Sequence, residues 1–294
     1  MHTHYFQGMT RELKELWEID PAKHQEGMVL HGSGWPLSET HSNGGWWLYF
    51  DENNQVSFGM VIDLSYHNPY LSPFDELQRL KTHPLIRNIL EGGKRLSYGA
   101  RALTKGGLNS LPKLYFAGGV LVGDDAGFLN PAKIKGTHTA IKSGMLAAEA
   151  VYEAIAAGRQ HDEVPTYEQK FKASWLYNDM YQARNFANAM HRMGIWMGGA
   201  FNFLEQNIFK GKMPLTIRDR MPDYDVLERA DHAYIPEYPK PDGKLTFDKL
   251  SSVFISNTNH AEDQPCHLKL TDPEVPIKRN LKIFAEPAQR YCPA

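Results

Sequence analysis

The run Val120-Leu121-Val122-Gly123-Asp124, followed by Lys133-Ile134-Lys135-Gly136-Thr137-His138, holds the residue types with most chemical meaning in this 294-residue chain. It reads as a short buried strand ending in Gly123-Asp124, a loop through Pro131, and a helix opened by Gly136-Thr137. A carboxylate at a strand's end accepts hydrogen bonds from the hydroxyls of a sugar-like chain. The first amides of the following helix have no intrahelical partners and carry partial positive charge. A ligand with a ribityl chain and an electron-rich ring edge fits both features, which points to a flavin. Charge on the reduced ring would be stabilised at the helix start. Along that helix Gly136, Ala140, Ser143, Gly144, Ala147 and Ala148 recur at three- and four-residue spacing, giving one face of small side chains. Such a face serves equally for tight packing on a sheet; joined to the Gly-Asp and Gly-Thr pairs, it favours a cofactor.

Three further stretches invite a chemical reading. Gly44-Gly45 stands at the mouth of a predicted strand, where missing side chains would let a flat ligand lie on the backbone. Taken alone, a Gly-Gly more often eases a turn. Cys292 is followed by Pro293, a pair found in iron–sulfur ligation, but one cysteine makes no cluster. Glu91-Gly92-Gly93-Lys94-Arg95 is a turn with two cations, which suits a phosphate or simply solvent.

The elements that must carry these residues follow from pattern. Met28 to His31 reads as a strand, and Trp46–Phe50 with Val56–Ile62 as a hairpin around a five-residue loop. Ser72-Pro73-Phe74-Asp75-Glu76 has helix-start chemistry, and Pro84 breaks that helix before a second short apolar piece. Leu114–Ala117 reads as a strand leading into the Gly-Asp segment, whose helix stops at Gly158, and a long helical region begins near Thr166. Met190 to Phe209 has the length of a membrane span, but Arg192, Glu205 and several amides make spanning costly. With Trp196, its phenylalanines, and Lys210 and Lys212 just beyond, the segment suits a core helix or one lying at the headgroup level. Ile235 to Gly243, rich in proline, reads as a stiff connector and a boundary.

Composition sets outer limits. A formal net charge of -2 argues against nucleic-acid binding, and two cysteines, Cys266 and Cys292, give no disulfide framework. Tyr5-Phe6-Gln7-Gly8 is similar to a protease-site scar, so residues 1–10 are read as a possible expression artefact. No Gly-x-Gly-x-x-Gly follows an early strand, although a two-part flavin fold normally begins with that loop.

Six segments in order resemble one family, the electron-transfer flavoprotein–ubiquinone oxidoreductases. They are Gly34–Leu37, Asn68–Phe74, Glu91–Arg95 with Tyr98–Leu103, Pro131–Gly144, Glu237–Gly243 and Tyr291–Ala294. The resemblance implies a mixed α+β / α/β chain: part of a glutathione-reductase-like FAD-binding fold, with an inserted antiparallel quinone-binding sheet and the start of a ferredoxin-like domain. Implied domains are 1–106 for the ubiquinone-binding sheet, 107–230 for the FAD-domain remainder with a membrane-surface helix at about 190–212, and 231–294 for a truncated 4Fe–4S domain. Implied FAD contacts are Gly123, Asp124, Gly136 and Thr137. Gly44 and Gly45 fall on the glycine pair whose backbone meets the ubiquinone head group, so valine at either would block it. Cys292 falls on the first of four cluster cysteines; the other three are missing, as is the N-terminal fingerprint. The implied activity is electron transfer from reduced electron-transfer flavoprotein through a 4Fe–4S cluster and FAD to ubiquinone. Its place is peripheral on a bacterial cytoplasmic or mitochondrial inner membrane, and no side chain acts as nucleophile or base. The departures make the chain look like an internal fragment that, alone, binds flavin weakly or not at all and assembles no cluster. Rival readings are a flavin-dependent reductase or hydroxylase of the geranylgeranyl-reductase type and an inactive membrane-associating remnant.

Overall fold

The computed structural model describes residues 8–219, 221–265 and 269–291. They divide into two compact units, one from residues 11–101 with those from 226 onward, the other from the residues before 11 with 102–225. The chain is mixed α/β.

The first unit is organised on a five-stranded sheet. Its strands are β1 (Met9–Glu18), β2 (Val29–Gly32), β3 (Gly44–Phe50), β4 (Gln55–Asp63) and, after helices α1 (Pro73–Lys81) and α2 (Pro84–Leu90), β5 (Lys94–Thr104). The order across the sheet is β2-β3-β4-β1-β5. β3 pairs antiparallel with both neighbours, Trp47 standing opposite His31 on β2 and opposite Gly59 on β4. Period-two alternation then sorts the side chains. Leu48, Phe50, Val56, Phe58, Met60 and Ile62 face a core shared with Leu71, Phe74, Leu77, Leu80, Ile86 and Leu90. Trp47, Tyr49, Ser57 and Val61 alternate to the other face and stay half-exposed. α1 starts as its sequence predicts: Ser72 Oγ accepts the Asp75 N–H at 3.4 Å, Pro73 fills the first position, and Asp75 and Glu76 sit in the first turn. His83 caps α2 through its ring nitrogen, and Pro84 follows it.

Strands β1 and β5 carry no clear alternation signal, because charged residues hold their inward positions. Glu15 is fully buried and accepts from Lys81 Nζ at 3.0 and 3.1 Å, Arg95 Nη1 at 3.2 Å and Trp17 Nε1 at 2.8 Å. Arg95 is therefore an internal ion-pair partner, not part of an anion-holding turn, and it also donates to Ser252 Oγ at 2.8 Å.

In the second unit a two-stranded sheet pairs β6 (Tyr115–Phe116) with β7 (Gly119–Val120). Helices α3 (Thr137–Ala156), α4 (Pro165–Ala173), α5 (Trp175–Gln182) and α6 (Phe186–Phe203) follow. The buried strand expected from Val120 to Gly123-Asp124 is shorter than that. β7 ends at Val120, Val122 is exposed, and among the described residues β6 is its only partner. A strand with one neighbour has no second ladder to hold it extended. The long helical region expected from Thr166 is three helices, because Ser174 and then Ala183–Asn185 leave helical geometry. α3 buries Ser143, Leu146, Ala147, Ala150 and Ala154 against Leu114, Phe128, Tyr167 and Phe171.

Past residue 226 the chain returns to the first unit with α7 (Lys249–Ile255), α8 (Leu281–Phe284) and α9 (Ala288–Tyr291). The proline-rich stretch before α7 is irregular but anchored: Tyr238 Oη donates to Glu76 Oε1 at 2.9 Å and accepts the Ser72 N–H at 3.0 Å.

Removing Glu15 strands two buried cations, so Glu15→Ala is expected to lower unfolding free energy by about 3–5 kcal/mol, more than Lys81→Met does. Burial pushes the Lys81 ammonium down from 10.5 to about 8 despite Glu15. Between those values the folded chain has released the proton that the unfolded chain keeps, so stability rises with pH across that window, by at most ~1.4 kcal/mol per pH unit. Urea unfolding from pH 7.5 upward should show that rise in the parent chain and lose it in Lys81→Met.

Candidate functional site

The helix entrance is assembled from local hydrogen bonds. Residues 123–128 close on themselves, the Gly127 N–H donating to Asp124 O at 2.8 Å and the Phe128 N–H to Gly123 O at 3.1 Å. Gly123 adopts φ +74°, where a side chain is strained, and its N–H donates to Ser143 Oγ at 2.9 Å. A methyl built on Gly123 would lie 3.9 Å from Ala140 Cβ, so the small face of α3 is what lets the Gly-Asp turn settle against its first turns. Gly136 precedes the helix with no side-chain cap, and no acid occupies the first turn. The Thr139 hydroxyl turns back to the carbonyls of Phe128 and Gly136 instead. Asp124 is half-buried and Thr137 exposed. The structure thus brings Gly123 onto the helix that Gly136 and Thr137 open. An uncapped start free of carboxylates fits an anionic ring edge. A cleft of about 300 Å3, lined by Met9, Ala102, Thr104, Ser110, Pro112, Asp125 and Ala126, adjoins this turn.

Asp179 on α5 is the residue that sequence reasoning missed here. Its carboxylate accepts from Asn130 Nδ2 at 2.8 Å, from Lys133 Nζ, and from His138 Nε2 at 3.3 Å, while His138 stacks on Trp175 at 6.1 Å between ring centres. Burial pushes the Asp179 carboxyl toward a higher pKa, but bonds from Lys133, Asn130 and His138 outweigh burial and hold it below its usual range. No spacing marks it in the sequence, because its three partners lie more than 40 residues away.

Gly44 and Gly45 are strand residues of β3, not a turn. A Cβ at Gly44 would sit 2.1 Å from Val61 O, and one at Gly45 would sit 2.6 Å from Gly32 O. Glycine is demanded by the approach of the chain's own backbone, so a valine at either position distorts the sheet before it meets any ligand. The carbonyl of Gly44 accepts from Ser33 Oγ at 2.9 Å.

The apolar segment from Met190 to Phe209 is not one rod. Gly194 takes φ +69° and ψ -177°, which breaks α6. Its second arm folds back: Asn202 Nδ2 donates to Phe186 O at 2.9 Å, and a Cβ on Gly198 would lie 2.7 Å from Ala189 O. A π-turn over Leu204–Ile208 follows. Asn185, Asn188, Asn202 and Glu205 are turned inward, whereas Trp196, Met197, Phe203, Leu204, Ile208 and Phe209 are exposed. Among the described residues no helix is long and apolar enough to cross a membrane. Arg184 fixes the following loop, donating to the carbonyls of Gly211, Met213 and Leu215 at 2.5 to 3.0 Å.

Cys292 and Cys266 lie outside the described residues. Among the described residues no group of three or more histidine, cysteine or acidic side chains could hold a metal ion. Two cysteines in the whole sequence do not supply the four thiolates of a 4Fe–4S cluster, so the chain's own residues do not fit that group.

If Asp179 is what holds the helix entrance, Asp179→Ala should speed amide exchange across residues 130–138 by tenfold or more while leaving the melting temperature within a few degrees. Hydrogen-exchange mass spectrometry would check this, and protection equal to the parent chain would refute it.

Two family models match. One described as ETF-QO, ubiquinone-binding covers residues 10–103, and one described as electron transfer flavoprotein-ubiquinone oxidoreductase, 4Fe-4S, covers 243–294. The probable electron transfer flavoprotein-ubiquinone oxidoreductase of Acinetobacter baylyi is 63% identical over 96% of this chain and 52% of its own length. The mitochondrial protein of that name from Bos taurus is 47% identical over 96% of this chain and 47% of its own. The chain therefore spans about half the length of these curated relatives. Among solved structures, a geranylgeranyl bacteriochlorophyll reductase-like protein from Thermoplasma acidophilum aligns with 77% of this chain and 52% of its own, at 15% identity and a TM-score of 0.48. With both matched regions and relatives from bacteria to mitochondria named alike, the chain belongs to the electron-transfer flavoprotein–ubiquinone oxidoreductases, a family of oxidoreductases.

Proposed function

We propose that this chain is the quinone-facing portion of a membrane-peripheral electron relay. The whole protein takes electrons from reduced electron-transfer flavoprotein and delivers them to ubiquinone, using FAD and a 4Fe–4S cluster. One observation carries the reading: the ubiquinone-binding match over residues 10–103 coincides with the five-stranded sheet that presents Gly44 and Gly45. The division into a sheet domain over 1–106, an FAD-domain remainder over 107–230 and the start of a 4Fe–4S domain over 231–294 belongs to this proposal. So does the glutathione-reductase-like form of the FAD domain.

When bound, the flavin supplies one- and two-electron transfer. The chain's part is to hold and tune. Asp124 would accept hydrogen bonds from the ribityl hydroxyls, and the uncapped amides at Thr137 and beyond would favour negative charge at the ring. Gly123, tied to Ser143, fixes the distance between those two grips. Asp179 keeps the loop into α3 in place by pairing with Lys133 and bonding to the His138 ring. Electron transfer needs no nucleophile or general base from the chain.

The hairpin of α6 supplies the membrane contact. Its exposed Trp196, Met197, Phe203 and Ile208 stand beside exposed Arg192, Lys210 and Lys212, the pairing of an interfacial segment. The location is the bacterial cytoplasmic or mitochondrial inner membrane.

The test is direct. Purified alone, the chain should carry flavin far below one per chain by visible absorbance. Joined to the remaining half of a family member, it should gain FAD and reduce ubiquinone at the expense of reduced electron-transfer flavoprotein. Stoichiometric FAD in the isolated chain, or no quinone reduction by the completed protein, would refute the proposal.

A further inference from the structure

At one asparagine the chain can react with itself. Asn43 precedes Gly44 in the only Asn-Gly pair of the sequence. The backbone nitrogen of a following residue can attack an asparagine's side-chain carbon and close a five-membered ring, and glycine puts no side chain in the way. Hydrogen bonds that tie down either partner suppress that closure. Asn43 is half-buried, and its side-chain amide makes no hydrogen bond among the described residues. The sheet register frees the nitrogen. The Asp63 N–H donates to Asn43 O at 3.0 Å, so Gly44 and Ile62 form a pair of the β3–β4 ladder whose own N–H groups point away from each other. Toward β2 the ladder stops at Gly32 and Trp46, two residues short of Gly44. The Gly44 N–H therefore has no ladder acceptor, while its carbonyl takes Ser33 Oγ.

The same chain carries a contrasting pair. Asp242-Gly243 offers the same ring size, but Asp242 Oδ1 accepts the N–H groups of Lys244, Leu245 and Thr246 at 2.8 to 2.9 Å. The Gly243 N–H donates to Thr246 O at 2.9 Å. Burial pushes the Asp242 carboxyl up, but the amides of Thr246, Lys244 and Leu245 outweigh burial and hold it at about 2, so it stays ionised. An ionised carboxylate offers the attacking nitrogen no leaving group. At Asp242 both partners are held; at Asn43 neither is.

We propose that Asn43 is a self-modification site: the Gly44 nitrogen bonds to the Asn43 side-chain carbon, ammonia leaves, and water opens the succinimide to aspartate or isoaspartate. The Gly44 amide gives its proton to solvent base, and ammonia carries away the side-chain nitrogen. Water then breaks one of the two imide C–N bonds. Breaking the bond to the side-chain carbon leaves aspartate; breaking the bond to the main-chain carbon leaves isoaspartate. No oxidant or reductant takes part. Either product places a carboxylate at the start of β3. Isoaspartate also lengthens the main chain by a methylene and takes the Asn43 carbonyl out of it, so the bond to the Asp63 N–H is lost. Gly44, where even a Cβ would lie 2.1 Å from Val61 O, has no room to absorb the shift. The reaction unpins the strand edge that carries Gly44 and Gly45, and it stands whether or not that sheet binds quinone.

Incubating the chain at mildly alkaline pH and mapping its peptides by mass spectrometry tests this without flavin, cluster or quinone. Asn43 should be the first asparagine to convert, ahead of Asn53, which is exposed but followed by Asn54. Enzymatic carboxyl methylation should report isoaspartate there, and the rate should rise with pH because the attacking nitrogen must lose its proton. Folded and urea-unfolded chain should convert at Asn43 at rates within about tenfold of each other, since no closed structure has to open first. Asp242 should convert about a hundredfold more slowly folded than unfolded, because its bonds to the chain must break. Hydrogen exchange at the Asp63 amide should speed up in the converted fraction. Asn43→Gln keeps an amide but cannot close the five-membered ring, so it should abolish conversion with the circular dichroism unchanged. Asn43 intact while Asn53 converts, conversion at Asn43 confined to urea, or aspartate formed without isoaspartate would each overturn the proposal.

Discussion

The first unit depends on one buried carboxylate. Glu15 on β1 gathers Lys81 from α1 and Arg95 from β5, and Gln78 of α1 joins the same group at 3.5 Å. The network reaches across the sequence: Gln78 Oε1 accepts the Phe247 N–H at 2.9 Å, Arg95 donates to Ser252, and the Arg95 guanidinium lies 3.7 Å from the centre of the Phe247 ring. Burying three charges is costly unless each finds its partners. Here the cost is offset only when β1, α1, β5 and the segment around α7 are all in place. The matched ubiquinone-binding and 4Fe–4S regions therefore share one polar core.

That dependence explains which elements could be read from sequence. β2, the β3–β4 hairpin, α1, α2 and α3 were legible because apolar period and local capping agree: Ser72 with Pro73 before α1, Gly158 after α3. β1 and β5 were not, since Glu15 and Arg95 occupy positions where a strand pattern expects aliphatic residues. The partner that makes a charge acceptable inside lies 66 to 80 residues away. For the same reason Arg95 looked like part of an anion-holding turn. Val120–Val122 failed in the opposite sense: its apolar run resembles a central strand, but pattern reports only that a segment could pair, not what stands beside it.

The candidate sites divide along the same line. Gly123 and Gly136 were legible because backbone geometry demands glycine or a bare helix start there, and such demands are local. Gly44 and Gly45 carried a local signal as well, but its cause is the approach of Val61 and Gly32, which only the sheet register reveals. Asp179 left no trace, because an aspartate on a short helix becomes an anchor only when Asn130, Lys133 and His138 arrive at it. Gly194 shows how a single backbone angle defeats a length argument: a twenty-residue, mostly apolar segment suggests one helix, and a left-handed glycine turns it into two packed arms.

Asp179 also bears on which positive charge a ligand at the start of α3 would meet. Lys133 lies in the loop that leads into that start, and His138 is the second residue of α3. Both are turned to Asp179, whose carboxyl stays ionised under the pull of the same residues. The helix entrance contributes the field of its own uncapped amides, of order half an elementary charge and fixed in direction by the helix axis. A mobile lysine side chain would follow a change in ligand charge, at the cost of reorganisation each time. Fixed amide dipoles respond without moving, which is what the flavin site proposed at this helix start would require.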